Sequence, residues 1–192
     1  LYLLRDPIER VLSVYEFERK QRGSTPGAIN AKKMNIQGYV RWRLQPESGA
    51  TIRNYQSRYL AGMHRYPRKP VTDENYEQVL ANLQGRALVG TVEQLDQTFV
   101  EFEAALKAAD IADLDLSYIP QNVNQNRPAT PAERISSLQA RLGADLLEEL
   151  QAANRYDAQL HALISGQMAD RLSTEPGLSA QVEKFRAGCR TL

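Results

Sequence analysis

The sequence predicts an α/β layer fold in which helices far outnumber strands. Two short apolar runs, Leu1 to Leu4 and Ala87 to Gly90, have the composition of strands buried on both faces, and helix start signals follow each run. Apolar residues at helical spacing occupy most of the remaining chain. Strand-to-helix units of this kind form a parallel sheet covered by helices, and we expect this sheet to be small.

The first helix has a well-specified start. Asp6 is predicted to be its N-cap, Pro7 takes the first helical position, where a missing N–H costs nothing, and Glu9 completes a capping box. A core-facing stripe follows at helical spacing, formed by Ile8, Val11, Leu12 and Tyr15. Ser13 lies off this stripe, so it is not expected in the core.

Periodicity and chain breakers predict the later elements. The breakers of 22–27 end the first helix, and the next helices are expected at roughly 34–45, 51–61 and 73–84, with a loop at 63–72. Val40, Trp42 and Leu44 alternate, so a strand is the alternative for 34–45. Thr91 and Gln94 form a capping box before a stripe of Leu95, Phe99, Phe102 and Leu106.

The C-terminal part of the chain contains one loop and then helices. A strand is possible at 115–119, and the prolines of 118–131 predict a loop. Thr130, Pro131 and Glu133 repeat the N-cap, proline and capping-box signals, and helical spacing continues from there to the end.

Composition limits the classes of function. The chain has 192 residues, 24 Lys+Arg and 23 Asp+Glu, and a net charge of +1, which indicates one domain over 1–192 and argues against bulk binding of nucleic acid. A single cysteine, Cys189, and two isolated histidines form no disulfide framework or metal constellation, so no metal is expected. No apolar stretch approaches the length of a membrane span.

The end of the first predicted strand carries the most informative chemistry. Arg5 and Ser13 lie at the strand end and within the following helix, where open α/β folds bind phosphate through free N–H groups and the helix dipole. The forked guanidinium of Arg5 suits a phosphate, and the side chain of Ser13 leans toward the helix N-terminus. The alternative is a surface arginine and a neutral serine within a helix.

Residues 3–15 closely resemble the 3′-phosphate-binding segment of sulfotransferases that use 3′-phosphoadenosine 5′-phosphosulfate (PAPS). The segment reads Leu-Leu-Arg-Asp-Pro-Ile-Glu-Arg-Val-Leu-Ser-Val-Tyr. In that family an arginine at a strand end and a serine eight positions later bind the 3′-phosphate of the nucleotide. Arg5 and Ser13 have this spacing, so the resemblance implies that they bind the phosphate.

Three further segments resemble the branch that includes heparan and chondroitin sulfotransferases and bacterial relatives. They are Asn54 to Gly62, with its Asn-x-Gln-x-Arg-x-Leu-x-Gly pattern, Val89 to Glu93, and the Asn-x-x-Asp-x-x-Leu pattern of Asn154 to Leu160. His161 stands where that branch has tyrosine. The resemblance implies a P-loop-like sulfotransferase fold.

The family's 5′-phosphosulfate loop and its catalytic base are expected upstream of Leu1. The chain is therefore predicted to be the larger C-terminal part of such a domain, and its catalytic residues are unassigned. A cytoplasmic location is expected for a bacterial enzyme and the Golgi lumen for a eukaryotic one.

Four other candidate binding residues each have two possible interpretations. Arg58 and His64 form a basic rim for an anionic glycan or for the sulfate donor, or they belong to a solvated loop. The family closes a late loop over the nucleotide, which assigns Asn124 and Arg127 to cofactor binding; a turn-rich surface connection is the alternative.

The remaining two candidates are Glu93 and His161, which lie far apart in the sequence. Glu93 orients arginines or meets the acceptor, or it complements a helix dipole. His161 has no acidic or thiol partner at ligand spacing, which favours a packed or surface histidine.

The resemblance implies a PAPS-dependent sulfotransferase that acts on an acceptor hydroxyl, with a glycan as the expected partner and no requirement for metal. Two other classes remain open. One is a non-catalytic, mostly helical module that binds a partner, in which the Arg-Asp-Pro junction is only a well-capped turn. The other is a kinase-like phosphoryl transferase of related topology.

Overall fold

A computed structural model describes residues 1–65, 69–84, 88–111, 114–119 and 130–189. Within these ranges the protein is helix-rich α/β, with a small parallel sheet of two strands, two 3-10 turns at Pro46–Ser48 and Met63–Arg65, and ten α-helices. In chain order the elements are β1 (Tyr2–Leu4), α1 (Pro7–Lys20), α2 (Pro26–Lys33), α3 (Ile36–Leu44), α4 (Tyr55–Leu60), α5 (Asp73–Leu83), β2 (Val89–Thr91), α6 (Leu95–Ala108), α7 (Pro131–Leu142), α8 (Ala144–Ala153), α9 (Arg155–Thr174) and α10 (Leu178–Cys189).

The sheet confirms both predicted strands. β1 and β2 run parallel with Leu4 opposite Thr91, and the ladder continues where the Val92 N–H donates to the Leu4 carbonyl at 2.8 Å. Five helices lie between the strands in the described part of this stretch, and a parallel pair needs a long crossover connection of this kind. Burial of β1 on both faces was a wrong prediction, because Leu4 is 3% exposed and Leu3 is 44% exposed. Successive side chains point to opposite faces of a strand, and the described residues cover the face of Leu4 but not that of Leu3.

The chain divides into two compact units. The first unit contains the described residues of Leu1–Arg5, Asn82–Gln125 and His161–Leu192, and the second unit contains those of Asp6–Ala81 and Asn126–Leu160. The strands therefore belong to the first unit, and α1 to α4 belong to the second. That the chain is a single sulfotransferase domain stays a prediction.

The second unit is built on the apolar stripe of α1. The Asp6 carboxylate accepts hydrogen bonds from the N–H groups of Ile8 and Glu9 at 3.0 and 2.9 Å, which confirms the predicted N-cap. The stripe packs with α3, α7 and α8 in a core that contains Ile8, Val11, Tyr15, Ala31, Ile36, Tyr39, Val40, Ile52, Leu138, Leu142, Leu146, Leu147 and Leu150. The predicted capping box of Thr130 and Glu133 is present at the start of α7.

The second unit confirms one predicted helix and contains another helix that was not predicted. Residues 36–44 form a helix rather than the alternative strand, because Ile36, Tyr39 and Val40 meet the core at helical spacing. The helix α2 was not predicted, since Gly23 and Gly27 indicate a break. Thr25 caps α2, and Gly27 lies inside the helix where a side chain would collide with Arg43 and Glu18.

In the first unit, β2 packs closely against α6. Thr91 belongs to the strand, and α6 begins at Leu95, so the predicted helix start at Thr91 is wrong. The Thr91 hydroxyl nevertheless accepts the Gln94 N–H at 3.3 Å. Of the predicted stripe only Phe102 is fully buried, and the other buried residues of α6 are Gln97, Thr98 and Val100.

The rest of the first unit is held by α10 and by the segment 114–119. Val100, Leu178 and Val182 form an apolar cluster. Residues 114–119 form no strand, so the possible strand at 115–119 was a wrong prediction. Tyr118 in this segment packs edge-on against Phe99 and donates to Asp96 at 2.9 Å, so side-chain contacts fix the segment without a backbone ladder. In the part of the chain that the structure describes, none of the helices has the length and apolarity to cross a bilayer.

Candidate functional site

Arg5 leaves the sheet at its carboxyl edge, in the first unit. It directly follows Leu4, whose carbonyl makes the last described hydrogen bond of the ladder, and it is half-buried. The carboxyl ends of parallel strands are the usual ligand-binding edge of an open α/β sheet. A guanidinium at this edge suits an anionic group, as the sequence predicts.

Ser13 lies on the exposed face of α1, in the second unit. Arg10, one turn earlier on the same face, donates to the Thr51 carbonyl at 2.7 Å and stands 3.9 Å from the ring centre of Tyr55. The hydroxyl of Ser13 is therefore accessible and has a cation on its own helix face. The guanidinium of Arg5 at the strand end and the exposed hydroxyl of Ser13 have the chemistry to bind a phosphate. That they bind the same phosphate stays a prediction.

Two of the resembling segments, Asn54 to Gly62 and Asn154 to Leu160, cap each other's helices within the second unit. The Asp157 carboxylate accepts the N–H groups of Gln56 and Ser57 at 3.0 and 2.7 Å, at the start of α4. The Asn54 side chain accepts the N–H groups of Tyr156 and Asp157 at 3.0 and 3.2 Å, at the start of α9. Each side chain thus satisfies donors that a helix N-terminus leaves unpaired.

Asn154 adds a third link to this arrangement. Its side-chain oxygen accepts the Asn54 N–H at 3.1 Å, and its nitrogen donates to the carbonyls of Ile52 and Leu150 at 2.8 and 2.9 Å. The side chains of Asn54, Asn154 and Asp157 are therefore engaged in positioning backbone.

Arg58 is buried, with 4% of its surface exposed, and it donates to the Lys69 carbonyl. Burial lowers the pKa of its guanidinium, and the nearby charge of Arg53 lowers it further. His64 lies in the 3-10 turn Met63–Arg65. Binding of a glycan or of the sulfate donor by Arg58 and His64 stays a prediction, and Arg58 does not have the exposure of a residue in a solvated loop.

The two candidates in the late loop, Asn124 and Arg127, lie outside the described residues. Their assignment to cofactor binding is unchanged and stays a prediction.

The structure joins two residues that the sequence left apart. The His161 Nε2 atom lies 2.9 Å from the Glu93 carboxylate, and the side chains are 16% and 25% exposed. Both residues belong to the first unit, and Glu93 follows β2 at the same sheet edge as Arg5. The residues are 68 positions apart, so no local spacing could predict the contact.

The chain is similar in sequence to an archaeal protein. The chain is 27% identical over 164 residues to a protein of Archaeoglobus fulgidus described as uncharacterized. The match covers 83% of this chain and 62% of that protein's length. No family model and no solved structure matches the chain.

Proposed function

We propose that the protein transfers a sulfuryl group from PAPS to an acceptor hydroxyl on a carbohydrate. The observation that carries the proposal is the segment 3–15, in which Arg5 and Ser13 have the spacing and context of the 3′-phosphate-binding segment of sulfotransferases. Neither residue is committed to the apolar core, so both side chains remain suited to binding a ligand.

In this proposal Arg5 and Ser13 each contact the 3′-phosphate of the nucleotide. The guanidinium supplies charge-assisted hydrogen bonds, and the serine hydroxyl donates a neutral one. These contacts orient the donor and favour departure of the nucleotide during in-line transfer. When bound, PAPS supplies the sulfuryl group.

Two features of the fold support the proposal. A small parallel sheet ends at Arg5, and ligands of α/β proteins commonly bind at that edge. The segments Asn54 to Gly62 and Asn154 to Leu160 resemble the same sulfotransferase branch, and Asn54 and Asp157 join them. Segments that contact each other in the fold are better explained by one shared architecture than by separate chance matches.

The test is a calorimetric titration of the natural full-length protein with 3′-phosphoadenosine 5′-phosphate. Arg5→Ala and Ser13→Ala should each weaken binding, Arg5→Ala by about 10- to 100-fold, which is the value of a hydrogen bond to a charged group. Arg19→Ala and Ser137→Ala are matched controls, since both residues are exposed on helices, and their affinities should equal the wild type.

Absence of binding, or equal binding by all four variants, overturns the proposal and favours the non-catalytic helical module. Competition by ATP without competition by PAPS favours a phosphoryl transferase. Competition by PAPS alone supports the sulfotransferase.

A further inference from the structure

A cavity of about 160 Å³ opens on the second unit, where the start of α1 meets α8 and α9. Its lining consists of Asp6, Pro7, Ile8, Gln151, Asn154 and Ala158. All six residues belong to the same compact unit, and three of them belong to the segment 3–15. The segment that the proposed function assigns to the nucleotide phosphate thus forms one wall of this cavity.

The volume of the cavity suits one six-membered ring. An engineered protein cavity of about 150 Å³ holds a benzene molecule. A purine has two fused rings, so it is too large to enter whole. Gln151 and Ala158 are solvent-exposed, so the cavity is open on their side and substituents of a bound ring can extend into water.

Two amide side chains give the lining groups that bind hydroxyls. The side chain of Gln151 makes no hydrogen bond in the described part of the chain, so both its donors and its acceptor are available. The Asn154 nitrogen donates to the carbonyls of Ile52 and Leu150, and its oxygen accepts the Asn54 N–H. An amide oxygen has two lone pairs, so one remains for a ligand on a side chain that is already fixed in place.

The charge of the lining selects against anions. Asp6 is acidic, and the described residues around the cavity include no lysine, arginine or histidine. A phosphate, sulfate or carboxylate would therefore lose water beside a carboxylate and gain no cation in return, which is unfavourable. An uncharged ring that carries hydroxyl groups avoids this cost.

We propose that this cavity binds one uncharged sugar ring of the acceptor carbohydrate. The inference rests on the proposed sulfotransferase function and adds the place where its acceptor is held. Hydroxyl groups of the ring donate to Asp6 and Asn154 and exchange hydrogen bonds with Gln151. The C–H groups of the ring pack against Pro7 and Ile8.

A gap left by the packing of the three helices is the competing explanation. The two explanations differ in selectivity. A packing gap has no preference among sugars and does not depend on the Gln151 amide, whereas a binding site loses affinity when its volume or its hydrogen-bonding groups change.

The experiment titrates the natural full-length protein with methyl β-D-glucoside, methyl β-D-galactoside and methyl N-acetyl-β-D-glucosaminide, followed by nuclear magnetic resonance of the ligand. At least one glycoside should bind with a dissociation constant of about 1 mM, which corresponds to the usual binding energy per atom for a ligand of this size. Methyl β-D-glucuronide should bind more weakly than the glucoside, because its carboxylate meets Asp6.

Variants of the lining test the position of the site. Ala158→Leu places a larger side chain in the cavity and should abolish detectable binding of the glycoside. Gln151→Leu should weaken binding by about 2- to 10-fold, the value of a lost hydrogen bond between uncharged groups. Ala152→Leu and Gln159→Leu are matched controls at exposed helical positions outside the lining, and they should bind as the wild type does.

The acceptor role has its own readout. The glycoside and 3′-phosphoadenosine 5′-phosphate should bind together, as an acceptor and a donor must. With PAPS present, the wild type should sulfate the glycoside that it binds, and Ala158→Leu should lose this transfer while it binds the nucleotide as tightly as the wild type.

The outcomes separate the inference from the proposed function. Binding of none of the three glycosides, equal binding by Ala158→Leu and the wild type, equal binding of the glucuronide, or a bound glycoside that is not sulfated overturns the inference while the proposed function stands. Displacement of the glycoside by 3′-phosphoadenosine 5′-phosphate assigns the cavity to the nucleotide and also overturns the inference. Failure of the wild type to bind this nucleotide overturns the proposed function and, with it, the acceptor role of the cavity.

Discussion

The backbone N–H of Asp157 donates to the side chain of Asn54 at 3.2 Å, and the two residues cap each other's helices. Asn54 holds a left-handed conformation with φ of 43° and ψ of 44°, which asparagine tolerates better than most residues. The Asp157 carboxylate is 1% exposed and accepts two backbone hydrogen bonds from α4. This exchange fixes α4 and the start of α9 in one geometry.

Asp157→Ala is therefore expected to destabilise the protein by about 1–3 kcal/mol, the cost of leaving buried donors unsatisfied. Urea denaturation measures the loss. Ser57→Ala is the matched control, because its buried Oγ has no hydrogen-bond partner among the described residues and its backbone N–H is retained. A control variant that loses as much stability as Asp157→Ala would count against the capping role. Asn54→Gly tests the opposite cap while preserving the backbone conformation.

Gly90→Ala should destabilise the first unit by about 1–3 kcal/mol through overpacking. An added Cβ at Gly90 would overlap the side chain of Thr98, whose hydroxyl also accepts the Thr91 N–H at 3.1 Å. Gly166→Ala in α9 is the control, since a Cβ there has nothing within 4 Å, and it should stabilise by about 0.5–1 kcal/mol. Thermal denaturation compares the two variants, and equal melting temperatures would contradict the prediction.

Arg43→Met should cost about 3–5 kcal/mol, because it leaves the Glu18 carboxylate buried without its ion-pair partner. The side chains of Arg43 and Glu18 are 8% and 15% exposed, and Tyr39 donates to Glu18 at 2.6 Å. The double variant Glu18→Leu with Arg43→Met should be more stable than Arg43→Met alone. A double-mutant cycle by urea denaturation measures this coupling, and additive losses would show that the pair is not coupled.

Alkaline pH should reduce the stability that Tyr118 contributes. Burial raises the pKa of Tyr118 from 10.0 to about 12, and its hydrogen bond to Asp96 adds to the rise. The folded state thus holds the phenol proton more tightly than the unfolded state, so the stabilisation is complete below pH 10 and is lost between pH 10 and 12. The stability difference between the wild type and Tyr118→Phe should therefore shrink from pH 9 to pH 11.5. Chemical denaturation at both pH values checks this, and a constant difference would contradict it.

Local signals predicted much of the fold. The cap at Asp6, the proline at Pro7 and the apolar stripe of α1 are encoded within a few residues, and the structure confirms them. Two short apolar runs were sufficient to predict β1 and β2. The sequence analysis missed helix α2, because Gly27 is typical of a chain break. In the structure Gly27 is buried inside α2 against the side chains of Arg43 and Glu18, which are distant in sequence.

The sequence by itself determined the strand end at Arg5, the accessible serine on α1 and the segments that carry the resemblance, because caps, spacing and periodicity are local properties. Only the tertiary structure decided that Asn54 and Asp157 cap each other and that Glu93 meets His161. These contacts join residues 103 and 68 positions apart. Their partners are chosen by the packing of whole helices, which no single stretch of sequence specifies.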